Sequence, residues 1–354
     1  MKDKSLYLFA PNVSHGGGFF ILKQFLISVS ESKKDIYGSV NREFLTLKNF
    51  VNFDLNKTKF FENKVTDYLI ANFHLLENNN PQDIYLFFGN VPPLFKTRGK
   101  SYLYIHGKLL LEPVFKYDLP LKTRIKVILN KILIKMFYKN VNFILVQTPS
   151  MKVLAKDFMP SSNIKLLPFY DYQPLAETTA KKPKYDFIFP SYAYTYKNHQ
   201  GLIKAFIGLS KKEIFPSLVL ALDSKIDEKL INQINQLVKI HNLNIELILD
   251  QTPSEVSQLY LDARCLVWPS MTESFGLPII EASKNNLDIL ASDLVYIRDL
   301  LKISDTYLFN PYDSNSIADV LENYIHTEHT ESKNHEIRLN ILSSTEAVKY
   351  ILSN

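Results

Sequence analysis

Two glutamates lie close together in the segment PSMTESFGLPIIEAS, which runs from Pro269 to Ser283. Glu273 follows an apolar, strand-like run, and Pro278 stands where a helix can begin, because proline fits the first helical turn. We therefore expect Glu281 in the first turn of that helix, where the positive end of the helix dipole favours a carboxylate. Two carboxylates at this spacing can flank one ligand. Free backbone N–H groups at the helix start could also hold a diphosphate or a sugar hydroxyl, and they belong to Phe275, Gly276 and Leu277.

A cluster of glycines offers a second binding element. Three of the ten glycines of the chain stand together at Gly16, Gly17 and Gly18, shortly after the apolar run Leu6–Ala10. A glycine-rich turn between a strand and a helix presents backbone N–H groups to an anion, typically a phosphate. The segment is neither G-x-G-x-x-G nor a P-loop. Phosphate or sugar binding and a simple tight turn are therefore both open interpretations here.

His106 and Lys197 are two further candidates for chemistry. His106 follows the strand-like run Ser101–Ile105, and Lys197 lies in a polar turn before a helical pattern. Each has a structural alternative: a histidine after an apolar strand is more often structural than catalytic, and a lysine in a turn is often solvated. Glu273 and Glu281, taken alone, could equally be helix-capping acids.

The elements that must position these residues alternate between short apolar runs and helical patterns in both halves of the chain. Strands separated by helices indicate parallel sheets with crossovers on both faces, so the fold class is α/β with two Rossmann-like, doubly wound domains. Such domains in tandem are expected to face each other across a cleft at the carboxyl ends of their strands. The predicted strands are Leu6–Ala10, Ile84–Phe88, Ser101–Ile105, Phe143–Gln147, Phe187–Pro190, Leu218–Leu222, Ile245–Leu249, Cys265–Pro269 and Ile289–Ser292.

Length and charge agree with two domains. The chain has 354 residues, 46% hydrophobic and 22% charged, which is ordinary for a globular protein and excludes a disordered chain. Residues 1–170 carry 24 Lys and Arg against 12 Asp and Glu, whereas residues 171–354 carry 17 against 24. We predict an N-terminal domain over 1–170, a linker over 171–184, a C-terminal domain over 185–335, and a helix over 336–354 that could pack back on the N-terminal domain.

Composition also bears on location. The single cysteine, Cys265, excludes a disulfide or a cysteine-based metal site within the chain and fits the reducing cytoplasm. No apolar stretch reaches the length of a membrane-spanning helix, about 18 residues. Together these features predict a cytoplasmic protein that is not integral to a membrane.

The basic half contains an amphipathic helical pattern from Leu119 to Asn140 that has no acidic residue. Its cations are interleaved with apolar residues, which favours contact with an anionic membrane surface at the inner face of the plasma membrane. A core-packed helix with a solvated basic face is the alternative. Nucleic acid is the other candidate partner for a basic domain, but no recognised reader module is present, so we expect no nucleic-acid partner. The six cations are Lys122, Arg124, Lys126, Lys131, Lys135 and Lys139.

The segment from Glu273 to Glu281 matches the E-x7-E motif, in its E-x-F-G-L-P-x-x-E-A form, and on this motif the chain resembles glycosyltransferase family 4. That family comprises retaining enzymes of the GT-B fold, many of which build bacterial surface polysaccharides. Further matches are the segments YTYKNH (194–199), VQTPS (146–150) and ASD (291–293), so the resemblance extends from about residue 5 to residue 325.

The resemblance implies a role for each matching residue. Lys197 would contact the donor diphosphate, Glu273 would lie beside the donor sugar, and Glu281 would bind the nucleotide ribose. His106 would face the transferred sugar, and Gly17 and Gly18 would lie near the diphosphate. The loop and helix start after Glu273 would complete the donor site, namely Ser274, Phe275, Gly276 and Leu277.

Two positions depart from the family pattern. The family usually has an arginine five residues before the lysine, where this chain has Tyr192, and many members have an acidic residue where this chain has Gly107. Arg264 or a helix N-terminus could compensate for the missing arginine. The chain has no D-x-D motif, so we expect neither a metal ion nor another cofactor.

The implied function is transfer of a hexose from a nucleotide-diphosphate sugar to a glycan acceptor, with retention of the anomeric configuration. A lipid-linked acceptor in the synthesis of O-antigen or capsule would account for the basic helix. Two alternatives are open: a sugar-nucleotide epimerase of the same fold, and a non-catalytic partner of another transferase that binds only nucleotide or membrane.

Overall fold

The computed structural model describes residues 5–64, 66–175, 182–224, 228–327 and 333–353. The chain divides into two compact units. The first unit comprises Met1–Lys116, Pro120–Asp171 and Asn340–Asn354, and the second comprises Tyr117–Leu119 and Tyr172–Leu339. The boundary between Asp171 and Tyr172 falls at the start of the predicted linker 171–184, of which residues 176–181 lie outside the described residues.

Seven strands in the described part of the first unit form one parallel sheet, in the order β3-β2-β1-β4-β5-β6-β7. The order reverses direction between β1 and β4, so the loops after these two strands diverge and leave a crevice at their carboxyl ends. The strands are β1 Leu6–Ala10, β2 Ile36–Asn41, β3 Phe53–Phe61, β4 Ile84–Phe87, β5 Lys100–Ile105, β6 Phe143–Val146 and β7 Ile164–Leu166.

Four helices connect these strands. In the first of them, the buried residues Ile21, Leu22, Phe25, Leu26 and Val29 recur at helical spacing, which gives one apolar face. The helices are α1 Gly16–Glu31, α2 Asp67–Glu77, α3 Leu121–Phe137 and α4 Pro149–Phe158.

The second unit repeats this plan with a six-stranded parallel sheet in the order β10-β9-β8-β11-β12-β14 and an antiparallel pair, β13 with β15. Here the order reverses between β8 and β11. The strands are β8 Tyr185–Pro190, β9 Leu218–Leu222, β10 Ile245–Leu249, β11 Ala263–Trp268, β12 Asp288–Ser292, β13 Leu301–Ile303, β14 Leu308–Phe309 and β15 His335–Ile337. The helices are α5 His199–Ser210, α6 Glu228–Ile240, α7 Pro253–Leu261, α8 Leu277–Lys284, α9 Val295–Leu300 and α10 Ser314–His326.

The last segment of the chain completes the first unit. Phe169 and Leu342 form a parallel bridge, and helix α11, Ser344–Ser353, packs against α1 with Ala347, Val348 and Ile351 buried. Both carboxylate oxygens of Asp171 accept hydrogen bonds from the backbone N–H of Ser344, at 3.1 and 3.2 Å, and so satisfy an orphan donor at the start of α11. The helix predicted over 336–354 is therefore shorter, because residues 335–337 belong to β15.

The predicted fold class of two parallel-sheet, Rossmann-like α/β domains is confirmed. The strands β2, β3, β7, β13, β14 and β15 are not among the predicted ones. Gly38 interrupts β2, polar residues fill the middle of β3, and the other four strands are only two or three residues long. No helix in the described part of the chain is both long enough and apolar enough to cross a bilayer.

One buried histidine couples the stability of the second unit to pH. His199 begins α5, its ring lies 4.7 Å from that of Phe189, and neither ring nitrogen has a hydrogen-bond partner among the described residues. Burial lowers its pKa to about 3, and the nearby charge of Lys197 acts in the same direction. The side chain is therefore neutral in the folded protein at neutral pH.

We predict that His199 destabilises the fold as the pH falls. In the unfolded chain its pKa is about 6.5. As the pH falls from there towards about 3, the unfolded chain binds a proton at His199 that the folded protein does not bind. The free energy of unfolding therefore decreases by about 1.4 kcal/mol per pH unit in this range. The variant His199→Phe removes this titrating group. Between pH 6 and pH 4, the slope of the unfolding free energy against pH should therefore decrease by about 1.4 kcal/mol per pH unit, which corresponds to one proton. Urea unfolding over this range measures the slope.

The control is His326→Gln, which changes an exposed histidine at the end of α10. It should leave the slope unchanged. Equal slopes for wild type and His199→Phe would contradict the assignment of a neutral buried imidazole.

Candidate functional site

Lys197 and Glu273 lie at the point where the strand order of the second sheet reverses. Lys197 follows β8 and closes a short 3-10 turn, Thr195–Lys197, and Glu273 follows β11. The backbone N–H of Met271 donates a 2.8 Å hydrogen bond to the carbonyl of Tyr196, which joins the two loops. Residues 76 positions apart in sequence are thereby brought to one site.

The two side chains form an ion pair that is largely removed from solvent. Lys197 Nζ lies 2.5 Å from Glu273 Oε1, and each side chain is 12% exposed. The ammonium group also lies 4.8 Å from the ring centroid of Trp268, within range of a cation–π interaction. Trp268 itself is fully buried in β11. The alternative of a solvated turn lysine is therefore wrong for Lys197.

Helix α8 begins at Leu277, one residue earlier than predicted, and this places Glu281 beyond the first turn. The prediction of a first-turn carboxylate is therefore wrong. Glu281 does not cap the helix, because α8 has no side-chain cap. Its Oε2 accepts a 2.8 Å hydrogen bond from the hydroxyl of Tyr260. Tyr260 thus orients the Glu281 carboxylate.

The start of α8 has the geometry of an anion-binding helix end. Gly276 precedes the helix with φ 75°, a conformation that favours glycine, and makes no side-chain cap. Phe275 is buried, whereas Ser274 and Leu277 are half-buried. An anion near this helix start would meet backbone donors and the positive end of the helix dipole.

Tyr192, which stands where the resemblance implies an arginine, belongs to a series of neighbouring tyrosines. Its ring lies 6.0 Å from that of Tyr194, which stacks on Tyr196 at 5.4 Å and 13°. Arg264 does not supply the missing cation at this edge. It lies near the amino end of the six-residue strand β11, about 15–20 Å along the strand from the loop of Glu273.

In the first unit, Gly18 and His106 are in close contact. A Cβ atom built on Gly18 would lie 2.4 Å from Cε1 of the His106 ring, so only glycine fits there. His106 follows β5, and Gly16, with φ 73°, begins α1. Gly17, between Gly16 and Gly18, lies in the first turn of α1, which has no side-chain cap. The glycine run is therefore needed both for the turn and for the approach of the imidazole.

His106 is held by the segment that follows β4, the strand next to its own. Its backbone N–H donates to Asn90 Oδ1 at 2.7 Å, and its Nε2 lies 3.1 Å from the carbonyl oxygen of Phe88. Burial lowers the pKa of His106 to about 4, and the hydrogen bond to Phe88 opposes this shift in part. The imidazole is neutral at physiological pH, so it can exchange hydrogen bonds with a ligand hydroxyl but cannot serve as a cation.

The six cations of α3 and its flank differ in their contacts. Lys131 Nζ donates to the carbonyls of Leu110 and Glu112 at 3.1 and 2.8 Å, and burial lowers its pKa. Lys135 Nζ donates to the Phe158 carbonyl at 2.8 Å. The guanidinium of Arg124 lies 5.5 Å from the ring of Phe115. The remaining three lysines are exposed: Lys122, Lys126 and Lys139. Lys131 and Lys135 are therefore tied to the protein's own backbone.

Among the described residues, no three or more His, Cys, Asp or Glu side chains are grouped so that they could hold a metal ion. Sequence reasoning missed Asn90, Tyr260 and Trp268 as supports of the site. The sequence pattern could have identified Asn90, because it is a polar residue shortly after a buried strand. Tyr260 and Trp268 look like ordinary core residues in the sequence.

Comparison with known proteins finds a family match that lies almost wholly in the second unit. Residues 175–340 match the family described as "Glycosyl transferases group 1". The matched segment contains Lys197, Glu273 and Glu281.

A curated relative is the O-antigen chain mannosyltransferase RfbU of Salmonella typhimurium, 36% identical over 70 residues. The match covers 20% of this chain and 20% of the relative, so it spans only a fifth of either protein.

Two solved structures share the fold over nearly the whole chain. Sucrose-phosphate synthase from Thermosynechococcus elongatus has a TM-score of 0.68 and 15% identity, covering 99% of this chain and 95% of its own. A point mutant of TarM from S. aureus, in complex with fondaparinux, α-GlcNAc-glycerol and UDP, has a TM-score of 0.68 and 13% identity, covering 99% of this chain and 97% of its own. These structures have the GT-B fold.

We predict that Gly18→Ala displaces the His106 ring, because the added methyl group overlaps with it. The displaced ring should gain solvent contact, so the pKa of His106 should rise from about 4 towards its ordinary value near 6.5. NMR titration of the histidine ring signals measures this pKa. Gly208→Ala is the control, because its Cβ would make an ordinary 3.9 Å contact with Ala318. An unchanged His106 titration in Gly18→Ala would contradict the contact.

Proposed function

We propose that the chain is a retaining glycosyltransferase that moves a hexose from a nucleotide-diphosphate sugar to a glycan acceptor. The observation that carries this proposal is the Lys197–Glu273 ion pair at the reversal point of the second sheet, within the segment that matches the glycosyl transferases group 1 family. Ligands of open α/β sheets bind outside the carboxyl ends of the strands at such a point. An O-antigen mannosyltransferase among the relatives and UDP in the TarM complex are consistent with this substrate class.

In this proposal the second unit binds the donor. Lys197 and the backbone donors at the start of α8 neutralise the diphosphate, and Glu281, oriented by Tyr260, accepts hydrogen bonds from the ribose. The oxygens of the incoming diphosphate compete with the Glu273 carboxylate for the Lys197 ammonium. Glu273 is then released towards the donor sugar, so donor binding and placement of this carboxylate are coupled.

The chemistry we propose needs no enzyme nucleophile. The bond between the anomeric carbon and the diphosphate oxygen breaks, and a new bond forms from the acceptor oxygen to the same carbon on the same face. The acceptor proton passes to the departing diphosphate. Lys197 stabilises the charge that develops on the leaving group. The neutral imidazole of His106 binds a hydroxyl of the transferred sugar. We propose that neither a metal ion nor another cofactor takes part.

For the acceptor we propose a lipid-linked glycan of a cell-surface polysaccharide, O-antigen or capsule, at the cytoplasmic face of the plasma membrane. The amphipathic α3 with its exposed Lys122, Lys126 and Lys139 supports this choice, because anionic lipids attract such a helix.

Incubation of the protein with a panel of nucleotide-diphosphate sugars and a lipid-linked acceptor tests the proposal. Transfer of sugar with retained anomeric configuration is the expected result. Isomerised donor would indicate the epimerase instead, and donor that stays intact throughout would indicate a non-catalytic binding protein.

We predict that Lys197→Ala weakens donor binding by about 10- to 100-fold, since it removes a charge-assisted hydrogen bond and leaves Glu273 to repel the diphosphate. Glu281→Ala should also weaken donor binding. Calorimetry with the nucleotide diphosphate measures both. Lys204→Ala, which changes an exposed lysine on α5, is the control and should bind as wild type does. Unchanged affinity in both site variants would contradict this assignment of the donor site.

We predict the opposite effect on binding for Glu273→Gln. Loss of the carboxylate frees Lys197 from its ion pair, so the affinity for the nucleotide diphosphate should be kept or increased while kcat falls. The double variant Lys197→Ala with Glu273→Gln should bind more tightly than Lys197→Ala alone. If the second change brought no recovery, competition between Glu273 and the diphosphate would be refuted.

A further inference from the structure

The first unit has a second exposed apolar helix face besides that of α3. On α2, the apolar residues at positions i, i+1, i+4 and i+7 are all exposed, and Phe73 is 62% exposed. The opposite face of the same helix is buried through Ala71 and Leu75. Exposure of this whole stripe is unusual, because an amphipathic helix normally turns its apolar face to the core. The stripe consists of Leu69, Ile70, Phe73 and Leu76.

Helix α3 has the same property over its full length. Only Val127 and Ile134 of its apolar residues are buried. A second set lies on one exposed face at spacings of three and four residues, and the 79% exposed ring of Phe115 extends this face through its contact with Arg124. The exposed set is Leu121, Ile125, Leu129, Ile132 and Met136.

Both helices lie on the same side of the sheet. α2 connects β3 to β4 and α3 connects β5 to β6, and both connections run in the same direction along the strand order. Because crossovers between parallel strands are right-handed, both helices cover the same face. The connection from β1 to β2 runs the other way, so α1 covers the opposite face, where α11 packs on it.

The loop after β4 ties the two helices together. The Tyr68 hydroxyl of α2 donates to the Pro92 carbonyl at 2.5 Å, and the backbone N–H of Leu94 donates to Asn72 Oδ1 at 2.7 Å. Asn140, just after α3, donates through Nδ2 to the Pro93 carbonyl at 3.0 Å. The same loop carries the exposed ring of Phe95. We call the exposed apolar residues of α2, Phe95 and those of α3 the α2–α3 face.

The charges around the α2–α3 face indicate which kind of partner it can bind. No acidic residue lies between Leu119 and Asn140, and Lys122, Lys126 and Lys139 are exposed there. On α2, Asp67 is buried and accepts the backbone N–H groups of Glu62 and Lys64, and the exposed Glu77 at the end of the helix is paired with Lys59 at 3.3 Å. An apolar surface flanked by uncompensated cations complements an anionic bilayer. Symmetric pairing with a second copy would instead bring the cations of two α3 helices together.

We propose that the α2–α3 face lies on an anionic membrane, with α3 supplying the charge and α2 a separate apolar anchor. This deepens the proposed function, since it names α2 as a second membrane-contacting helix of an enzyme that acts on a lipid-linked acceptor. The two contributions differ physically. Binding through the cations weakens with added salt, whereas binding through apolar side chains of α2 does not.

Sedimentation with vesicles of phosphatidylcholine, with and without phosphatidylglycerol, tests the proposal on the full chain. Wild type should bind the anionic vesicles and be released in part by salt. Lys122→Gln with Lys126→Gln should weaken binding about fivefold for each lysine and flatten the salt dependence. Phe73→Ser with Leu76→Ser should weaken binding at least about tenfold and keep the salt dependence. The matched control is Ile240→Ser with Val295→Ser, which changes two exposed apolar residues of the second unit and should bind like wild type.

Three results would overturn the proposal. The first is no binding of wild type to anionic vesicles, and the second is wild-type binding by the α2 variant. The third is a wild-type dimer, seen by analytical ultracentrifugation, that the α2 variant dissociates, since this would assign the face to a second copy. Nucleotide-diphosphate binding without vesicles should be unchanged in all these variants, so failure here is distinguishable from failure of the proposed glycosyltransferase.

Discussion

The ion pair of Lys197 and Glu273 is the interaction on which the geometry of the second unit's site depends. Two charges that are largely removed from water are costly unless they are paired, and the loss of one partner leaves the other uncompensated. Two loops from different strands must therefore stay in register. The backbone bond between Met271 and Tyr196 and the ring of Trp268 beneath the ammonium group hold that register. A ligand anion can replace Glu273 as the partner of Lys197 without leaving this charge unpaired.

Much of the fold could be predicted because buried parallel strands are short, continuous apolar runs. β1, β9 and β10 have the predicted bounds, and several other strands differ from them by one or two residues. The strand β3 was not predicted, because it lacks such a run: it is an edge strand with the polar centre NKTK. The start of α8 was misplaced by one residue, because Leu277 before Pro278 adopts helical geometry after the left-handed Gly276. That single residue moves Glu281 out of the first turn.

The sequence could predict which residues belong to the candidate site, but not which of them contact each other. Residue type and motif single out Lys197, Glu273 and Glu281, yet no local pattern shows that Lys197 and Glu273 pair, or that Tyr260 orients Glu281. Similarly, the glycine run predicts a turn, but the overlap between Gly18 and the His106 ring depends on how α1 and β5 pack. The sequence also indicates six cations, whereas carbonyls of other segments bind Lys131 and Lys135. Such contacts between distant residues follow only from the tertiary structure.

The return of the chain's last residues to the first unit affects the order in which the protein can fold. The ribosome makes the N-terminus first, and domains generally fold as they emerge. Here the first unit is incomplete until Ala347, Val348 and Ile351 of α11 have been synthesised and can cover α1. The second unit, including its short stretch Tyr117–Leu119, lies entirely before that segment. Although it comes later in the sequence, the second unit is therefore the first to have all of its residues available for folding.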